Sequence, residues 1–336
     1  MPTGPEHWLH ATPAGLYCAP GGFYIDPVHP VDRAVITHGH SDHARPDHRH
    51  VLATRETLAI MRQRYGERAG LSLQAARYGE RLTVGDVALT LLPAGHILGS
   101  AQALIDYGGV RAIVSGDYKR RPDPTCAAFE LTASDLFITE ATFGLPVFRH
   151  PPDSHEIEKL LHSVRLFPER CHLVAVYALG KCQRVIALLR KAGYDEPIYL
   201  HGALLGLTEL YQELGVALGP VLPCLGLPQD AFKGRIVLAP PSALGDRWTR
   251  RLPEPVAALA SGWMRVKQRA KARGVELPLV ISDHADWDEL TRTIDETGAG
   301  DIWVTHGREE ALVHHARMRG LNARALTLSG FDEEEE

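Results

Sequence analysis

Four residues with metal-binding side chains, His38, His40, Asp42 and His43, fall within six consecutive positions, and no other stretch of the chain limits its fold so tightly. The run follows Ala34-Val35-Ile36-Thr37, whose β-branched residues read as a strand ending at His38. Along an extended stretch residues i and i+2 point the same way, so His38 and His40 can share one metal. The chain then turns, and Asp42 and His43 face a neighbouring position. Imidazole and carboxylate suit zinc or manganese, while Gly39 and Ser41 keep the space between the ligands small. A polar loop with surface histidines is the competing reading, and four ligand types packed directly behind a strand weigh against it.

Two later loops can complete such a site. Ala94-Gly95-His96 follows the expected strand Val87 to Leu92 and offers one imidazole. Ser115-Gly116-Asp117 follows the expected strand Arg111 to Ser115 and offers one carboxylate. Each is weak alone. Together they fit the habit of open α/β sheets, which gather sites at the carboxyl ends of their strands.

Short β-branched runs followed by helical patterns argue for α/β architecture throughout. Thr54 reads as the N-cap of a helix through about Tyr65, with Leu58, Met61 and Tyr65 on one face. A strand is expected at Leu136 to Thr139. A Pro- and His-containing stretch, Leu145 to Pro152, then breaks the pattern. A second α/β segment follows, with strands at Leu173 to Val176 and Ile198 to Leu200 and helices at Gln183 to Lys191 and Leu204 to Leu214. Pro/Gly-rich connections are expected from Gly219 to Gly245. The first style returns at about 278, with strands Leu279 to Ser282 and Ile302 to Thr305 and helices Trp287 to Glu296 and Glu309 to Arg319. The simplest organisation is one domain, residues 1–147 and 278–330, interrupted by an inserted domain at 148–277 and followed by an acidic tail at 331–336, expected to be a solvated, disordered end.

Composition narrows the setting. Five cysteines without a C-x-x-C pair suggest neither a disulfide framework nor a zinc ribbon, so any metal must rest on the His and Asp side chains. No apolar run approaches the ~20 residues that span a bilayer, and the first residues lack the order of a signal peptide. A cytoplasmic, membrane-free protein is expected. The net charge of −5 does not decide whether nucleic acid is a partner, because metal ligands and the acidic tail supply much of it.

The H-x-H-x-D-H run, the later His96 and the later Asp117 resemble the metallo-β-lactamase superfamily. More narrowly, Thr139-Glu140-Ala141, Asp283-His284-Ala285 and Thr305-His306-Gly307 match the three extra motifs of the β-CASP nucleases, in that family's order. Narrower still, the chain is similar to the bacterial ligase-associated DNA exonucleases. The resemblance implies a metallo-β-lactamase αββα sandwich with an inserted β-CASP-like α/β cap domain. It implies one metal on His38, His40 and His96, a second on Asp42, His43 and His306, and Asp117 bridging both. An early aspartate that supports the ligand loop matches Asp26, with Asp32 as a competing candidate. Zinc is the expected metal and manganese the alternative.

The same resemblance implies phosphodiester hydrolysis, with Asp42 aligning the nucleophile and Glu140 paired with His284 to serve the leaving oxygen. The competing reading of that segment has Asp283 capping a helix and His284 idle in its first turn. Gly180-Lys181, at a strand-to-helix turn, could hold a phosphate, and so could Ser242. Lys119, Arg120 and Arg121, directly after Asp117, could steer a nucleic-acid backbone, as could Arg247, Arg250, Arg251 and the basic run Arg265 to Arg273. Trp263 could stack a base, although a core position suits it better. DNA is favoured over RNA as substrate, and a DNA ligase or helicase as partner, through the resemblance alone. The alternatives are an RNA-processing β-CASP ribonuclease, another hydrolase on the same fold, and a non-catalytic nucleic-acid-binding subunit.

Overall fold

The computed structural model describes residues 4–328, and the acidic run at 331–336 lies outside the described residues. The chain forms two compact units. One runs to Val147 and resumes at His284, and the other spans Phe148–Asp283.

In the first unit, six strands form one sheet in chain order: Leu9–Thr12, Gly15–Cys18, Phe23–Ile25, Arg33–Val35, His50–Thr54 and Ser72–Ala76. The first three pair antiparallel and the rest run parallel. A seven-stranded sheet begins with the antiparallel strands Arg81–Val84, Val87–Pro93, Ala101–Tyr107 and Val110–Val114. It continues in parallel through Leu136–Ala141, Asp301–Gly307 and Asn322–Ala325.

The period-two pattern decides how these sheets stack. Leu89, Leu91, Ala103, Ile105, Val114 and Ile138 point into a core shared with Leu16, Phe23 and Val35 of the first sheet. The alternate residues Leu92, Leu104, Ile113 and Phe137 point the other way, against Trp287, Leu290, Ile294 and Leu312 of helices Trp287–Thr297 and Glu309–Met318. On the far side of the first sheet, Leu58 and Met61 of helix Arg55–Tyr65 close a third cluster with Ile36 and Val51. The layers are therefore helix, sheet, sheet, helix, as expected. Truncating a fully buried leucine such as Leu89 to alanine in such a core costs about 2–5 kcal/mol.

The Phe148–Asp283 unit holds six strands in the order Val221–Pro223, Ile198–Leu200, Ile236–Ala239, His172–Ala175, Val256–Ala260 and Leu277–Leu279, all parallel. Strands buried on both faces read as continuous apolar runs, and Ile236–Ala239 and Val256–Ala260 do so. The stretch 219–245 is thus not only connection, since two strands lie within it. The return to the first unit also comes later than the sequence suggested. Leu277–Leu279 pairs with Val256–Ala260, which keeps residues 278–283 in the inserted unit.

Candidate metal centre

Three groups of ligand-type side chains converge in the first unit: His38, His40, His96 and Asp117; Asp42, His43 and His306; and Asp117, Glu140 and His284. Within each group the ligand atoms lie within 4.8 Å of one another. His40 Nδ1 lies 3.1 Å from His38 Nε2 and 3.0 Å from His96 Nε2. Asp117 stands between the first two groups. Its Oδ2 is 3.5 Å from His38 Nε2 and 3.2 Å from His43 Nε2, and its Oδ1 is 3.3 Å from His306 Nδ1. Asp42 Oδ2 lies 3.4 Å from His43 Nε2.

Local structure aims these groups. Asp26 accepts from the Thr37 backbone N–H at 2.8 Å and from the Thr37 hydroxyl at 2.6 Å, and its Oδ2 lies 2.8 Å from His43 Nδ1. With its proton committed to Asp26, Thr37 Oγ1 is left to accept from His38 Nδ1, 3.1 Å away. Both imidazoles are thereby oriented with their Nε2 lone pairs inward, the usual work of carboxylate and hydroxyl partners behind metal ligands. Asp26 holds φ at 44°, which is costly outside glycine, and its three contacts hold it there. Asp32, the competing candidate, is an exposed partner of Arg33 and Arg49. Thr37 gave no signal of this role in the sequence beyond its place at a strand end.

The loop of His96 is fixed from below. Thr54 and Thr57 donate their hydroxyls to the Gly99 carbonyl at 2.7 and 3.0 Å, and Ser100 Oγ accepts from His96 N at 3.1 Å. Arg64 donates to the Gly39 carbonyl at 2.7 Å and steadies the first ligand loop. At Gly116, φ is 54° and a Cβ would meet Thr37 at 2.8 Å, so only glycine lets the Asp117 turn approach the ligand strand.

Glu140 and His306 owe their placement to a register shift. Thr139 pairs with Val304, but Ala141 pairs with Gly307, so two residues, Thr305 and His306, stand opposite Glu140. Such a bulge re-aims side chains beside a site, and His306 takes φ 57° within it. Glu140 Oε1 accepts from the Tyr118 N–H at 2.7 Å, while Oε2 lies 2.9 Å from His284 Nδ1. His284 is consequently held with Nε2 directed away from Glu140. The helix that follows is capped by Asp286, which accepts from Glu289 N at 3.0 Å, and not by Asp283. His284 therefore precedes the helix, on a loop.

The electrostatics favour cations. Burial pushes His38 well below its ordinary pKa, and the charges of His43 and His96 add to that, leaving its Nε2 free to accept a metal. Burial opposes charge on His43 as well, yet Asp117, Asp42 and Asp26 together raise its pKa. Burial would raise Asp42 and Asp117, but His43 holds both carboxyls low. Buried lone pairs converging in a field that draws a proton onto His43 fit two divalent ions.

The expected phosphate-binding residues fare differently. Lys119 is buried, and its Nζ donates to the His284 carbonyl at 3.2 Å. Arg120 binds Thr293 and Glu296, and Arg121 binds Asp286 and Glu289. Arg120 and Arg121 tie the Asp117 loop to helix Trp287–Thr297 and its capping Asp286, and Lys119 ties it to the His284 loop, so all three charges are engaged within the fold and do not form the open steering surface expected. Lys181 is buried in an ion pair with Asp283 and donates to the Ile281 carbonyl at 3.1 Å, while the Gly180 N–H donates to Gln183 Oε1 at 2.9 Å. That turn's donors serve the fold, so it is no ready phosphate cradle. Ser242 is exposed on the turn Pro241–Gly245. Arg247, Arg250, Arg251, Arg265, Lys267 and Lys271 are exposed, whereas Trp263 is buried against Phe148 with Arg269 over its ring at 4.1 Å, a core position and not a base platform.

No family model matches the chain. It is 29% identical over 322 residues to a probable DNA ligase of Opitutus terrae, covering 93% of this chain and 30% of that protein. It is 31% identical over 122 residues to the endoribonuclease YSH1 of Gibberella zeae, covering 35% of this chain and 14% of that one. With cleavage and polyadenylation specificity factor subunit 3 of Dictyostelium discoideum it shares 30% identity over 134 residues, 38% of this chain and 17% of that protein. The chain thus spans under a third of the length of these relatives. The crystal structure of an Enterococcus faecalis V583 protein of unknown function superposes with a TM-score of 0.60 at 12% identity, covering 89% of this chain and 80% of the other, a likeness of fold.

Proposed function

The chain belongs to the β-CASP type of the metallo-β-lactamase superfamily, and from that premise we propose that it is a two-metal nuclease that hydrolyses phosphodiester bonds in DNA. The observation that carries this reading is the joint presence of two ligand groups with Asp117 between them and a Glu140–His284 pair 2.9 Å apart at their side. A hydrolase of small esters needs the first and has no evident use for the second. His38, His40 and His96 would hold one ion, and Asp42, His43 and His306 the other, with Asp117 shared. Zinc is favoured by the imidazole-rich donor set, with manganese the alternative. Such a pair of ions neutralises charge on a phosphoryl group and lowers the pKa of a water.

The chain's own residues do the rest. Asp42, half-buried and held anionic, aligns the attacking water. His284, with Nδ1 bound to Glu140, presents Nε2 to donate a proton to the departing sugar oxygen, a contribution of about 10²–10⁴-fold. The exposed arginines and lysines at 247–251 and 265–271, together with Ser242, hold the nucleic-acid backbone. The relative named a probable DNA ligase, aligned over nearly the whole of this chain, supports DNA and work beside a ligase. An exonuclease role in repair and a helicase partner rest on the resemblance of the sequence motifs alone. The endoribonuclease relatives, aligned over about a third of it, support RNA as the second reading.

The test is cleavage of end-labelled single-stranded DNA and matched RNA by metal-stripped protein resupplied with zinc or manganese, beside Asp42→Ala. Metal-dependent release of nucleotides from one DNA end, absent in the variant, is expected. Faster cutting of RNA would transfer the mechanism to RNA processing. Inertness toward both would overturn the nuclease reading.

A further inference from the structure

Lysine is almost never fully buried unless it is paired, and Lys119 is 1% exposed. Its position explains what the burial achieves. Two residues upstream is Asp117, grouped with His38, His40 and His96 and within 3.3 Å of both His43 and His306. Its backbone N–H donates to the Ala94 carbonyl at 3.0 Å, and its own carbonyl closes on Gly95, whose φ of 74° leaves no room for a Cβ. That contact anchors the turn carrying His96. Its ammonium reaches the His284 carbonyl at 3.2 Å. The neighbouring Tyr118 accepts from Ala285 N on the same loop at 2.6 Å and donates its own N–H to Glu140, the carboxylate on strand Leu136–Ala141 that holds the His284 ring, at 2.7 Å.

The main chain at His284 is therefore held from one side by Lys119 Nζ and one residue later by the Tyr118 carbonyl, while Glu140 fixes the ring. A proton donor must lie within hydrogen-bond reach of its target, and a loop free to drift by an ångström loses that geometry. We propose that Lys119 is a positioning residue, which locks the His284 loop to the Asp117 and His96 turns so that His284 Nε2 stays aligned with the leaving oxygen. This inference rests on the nuclease reading and deepens it. Lys119 touches no substrate in this scheme, and its ammonium acts through the His284 loop.

The experiment compares two phosphodiesters that differ in leaving group. A nucleic-acid strand expels a sugar alkoxide that needs a proton, whereas bis(para-nitrophenyl) phosphate expels a phenolate that does not. In Lys119→Met, which keeps length and removes the ammonium, kcat on DNA is expected to fall about 10–100-fold, as for other supporting partners of a site. KM, bound metal and hydrolysis of the para-nitrophenyl ester stay near wild type. Lys119→Arg, which keeps a donor for the same carbonyl, recovers much of the loss. In the His284→Ala background the Lys119→Met change adds little, because residues acting as one unit are not additive.

Equal losses on both substrates, or a full further loss in the His284→Ala background, would overturn the positioning role. Should Lys119→Met not fold, Lys119→Gln carries the same substrate comparison. Wild-type protein inert on both esters would instead sink the nuclease reading itself, an outcome distinct from either.

Discussion

The two units use the same device for opposite ends. In the first, strands deliver His38, His96 and Asp117 just beyond their carboxyl ends, and the sandwich buries these groups among further ligand-type side chains. In the inserted unit, the parallel strands Ile236–Ala239 and Val256–Ala260, which flank His172–Ala175, lead toward Arg247–Arg251 and Gly262–Arg265, and there the cations remain exposed. Among the charges that this unit buries, Lys181 pairs with Asp283, Arg184 with the part-buried Asp153, and Glu156 with Lys159. Burial makes convergent ligand-type groups able to hold a metal, while exposure leaves a surface suited to a polyanion. Position at a strand end does not by itself choose between them.

That contrast can be broken at several points. The largest effect belongs to Asp117→Ala. Loss of the shared carboxylate should lower nuclease turnover on the order of 10³-fold or more and reduce bound metal, read by cleavage assay and metal analysis on the same sample. Retention of two tightly held ions would mean that the two groups do not share Asp117.

In the inserted unit, Asp153→Ala leaves the Arg184 guanidinium, 1% exposed and formerly 2.6 Å from its partner, without that carboxylate. Removing one member of a buried pair costs about 3–5 kcal/mol, so denaturant unfolding should shift markedly while activity per folded molecule holds. A drop in specific activity without a drop in stability would contradict the division between structural and functional charges.

Asp26→Asn tests the support behind the ligands. Its lost charge toward His43 should weaken metal binding about 10–100-fold, seen by competition with a chelator, with far less effect on stability than Asp153→Ala. The smallest effect is expected from Arg247→Ala, Arg250→Ala and Arg251→Ala combined. If they contact phosphates of a single strand, the slope of binding against salt falls by up to about 2, at ~0.7 per contact, and kcat is unchanged. An unaltered slope would assign these arginines to the bland role of a solvated face.

Much of this was legible in the sequence where chemistry is local. The run His38 to His43 announced its own chemistry, and the strands ahead of His96 and Asp117 followed the β-branched pattern. Thr54 capped its helix as expected, accepting from Thr57 N at 3.2 Å. The N-terminal hairpin Leu9–Cys18, the helix Asp153–Leu166 and the strands Ile236–Ala239 and Val256–Ala260 of the inserted sheet carried weaker patterns and were not anticipated. Lys119 and Lys181 misled for one reason: a lysine beside a glycine-bearing turn looks the same in sequence whether it faces solvent or a carbonyl.

The sequence by itself determined the ligand types, their order and the α/β alternation, because these depend on residue identity and on neighbours a few positions away. Tertiary structure alone decided that Asp26 and not Asp32 stands behind His43, that one extra residue opposite Glu140 turns His306 toward Asp117, and that Lys119 is buried against the His284 carbonyl. Each of those outcomes joins groups between 17 and 189 positions apart in the chain. Such contacts form only when sheets stack and loops close, and burial then fixes whether a charge becomes a ligand, a support or a surface.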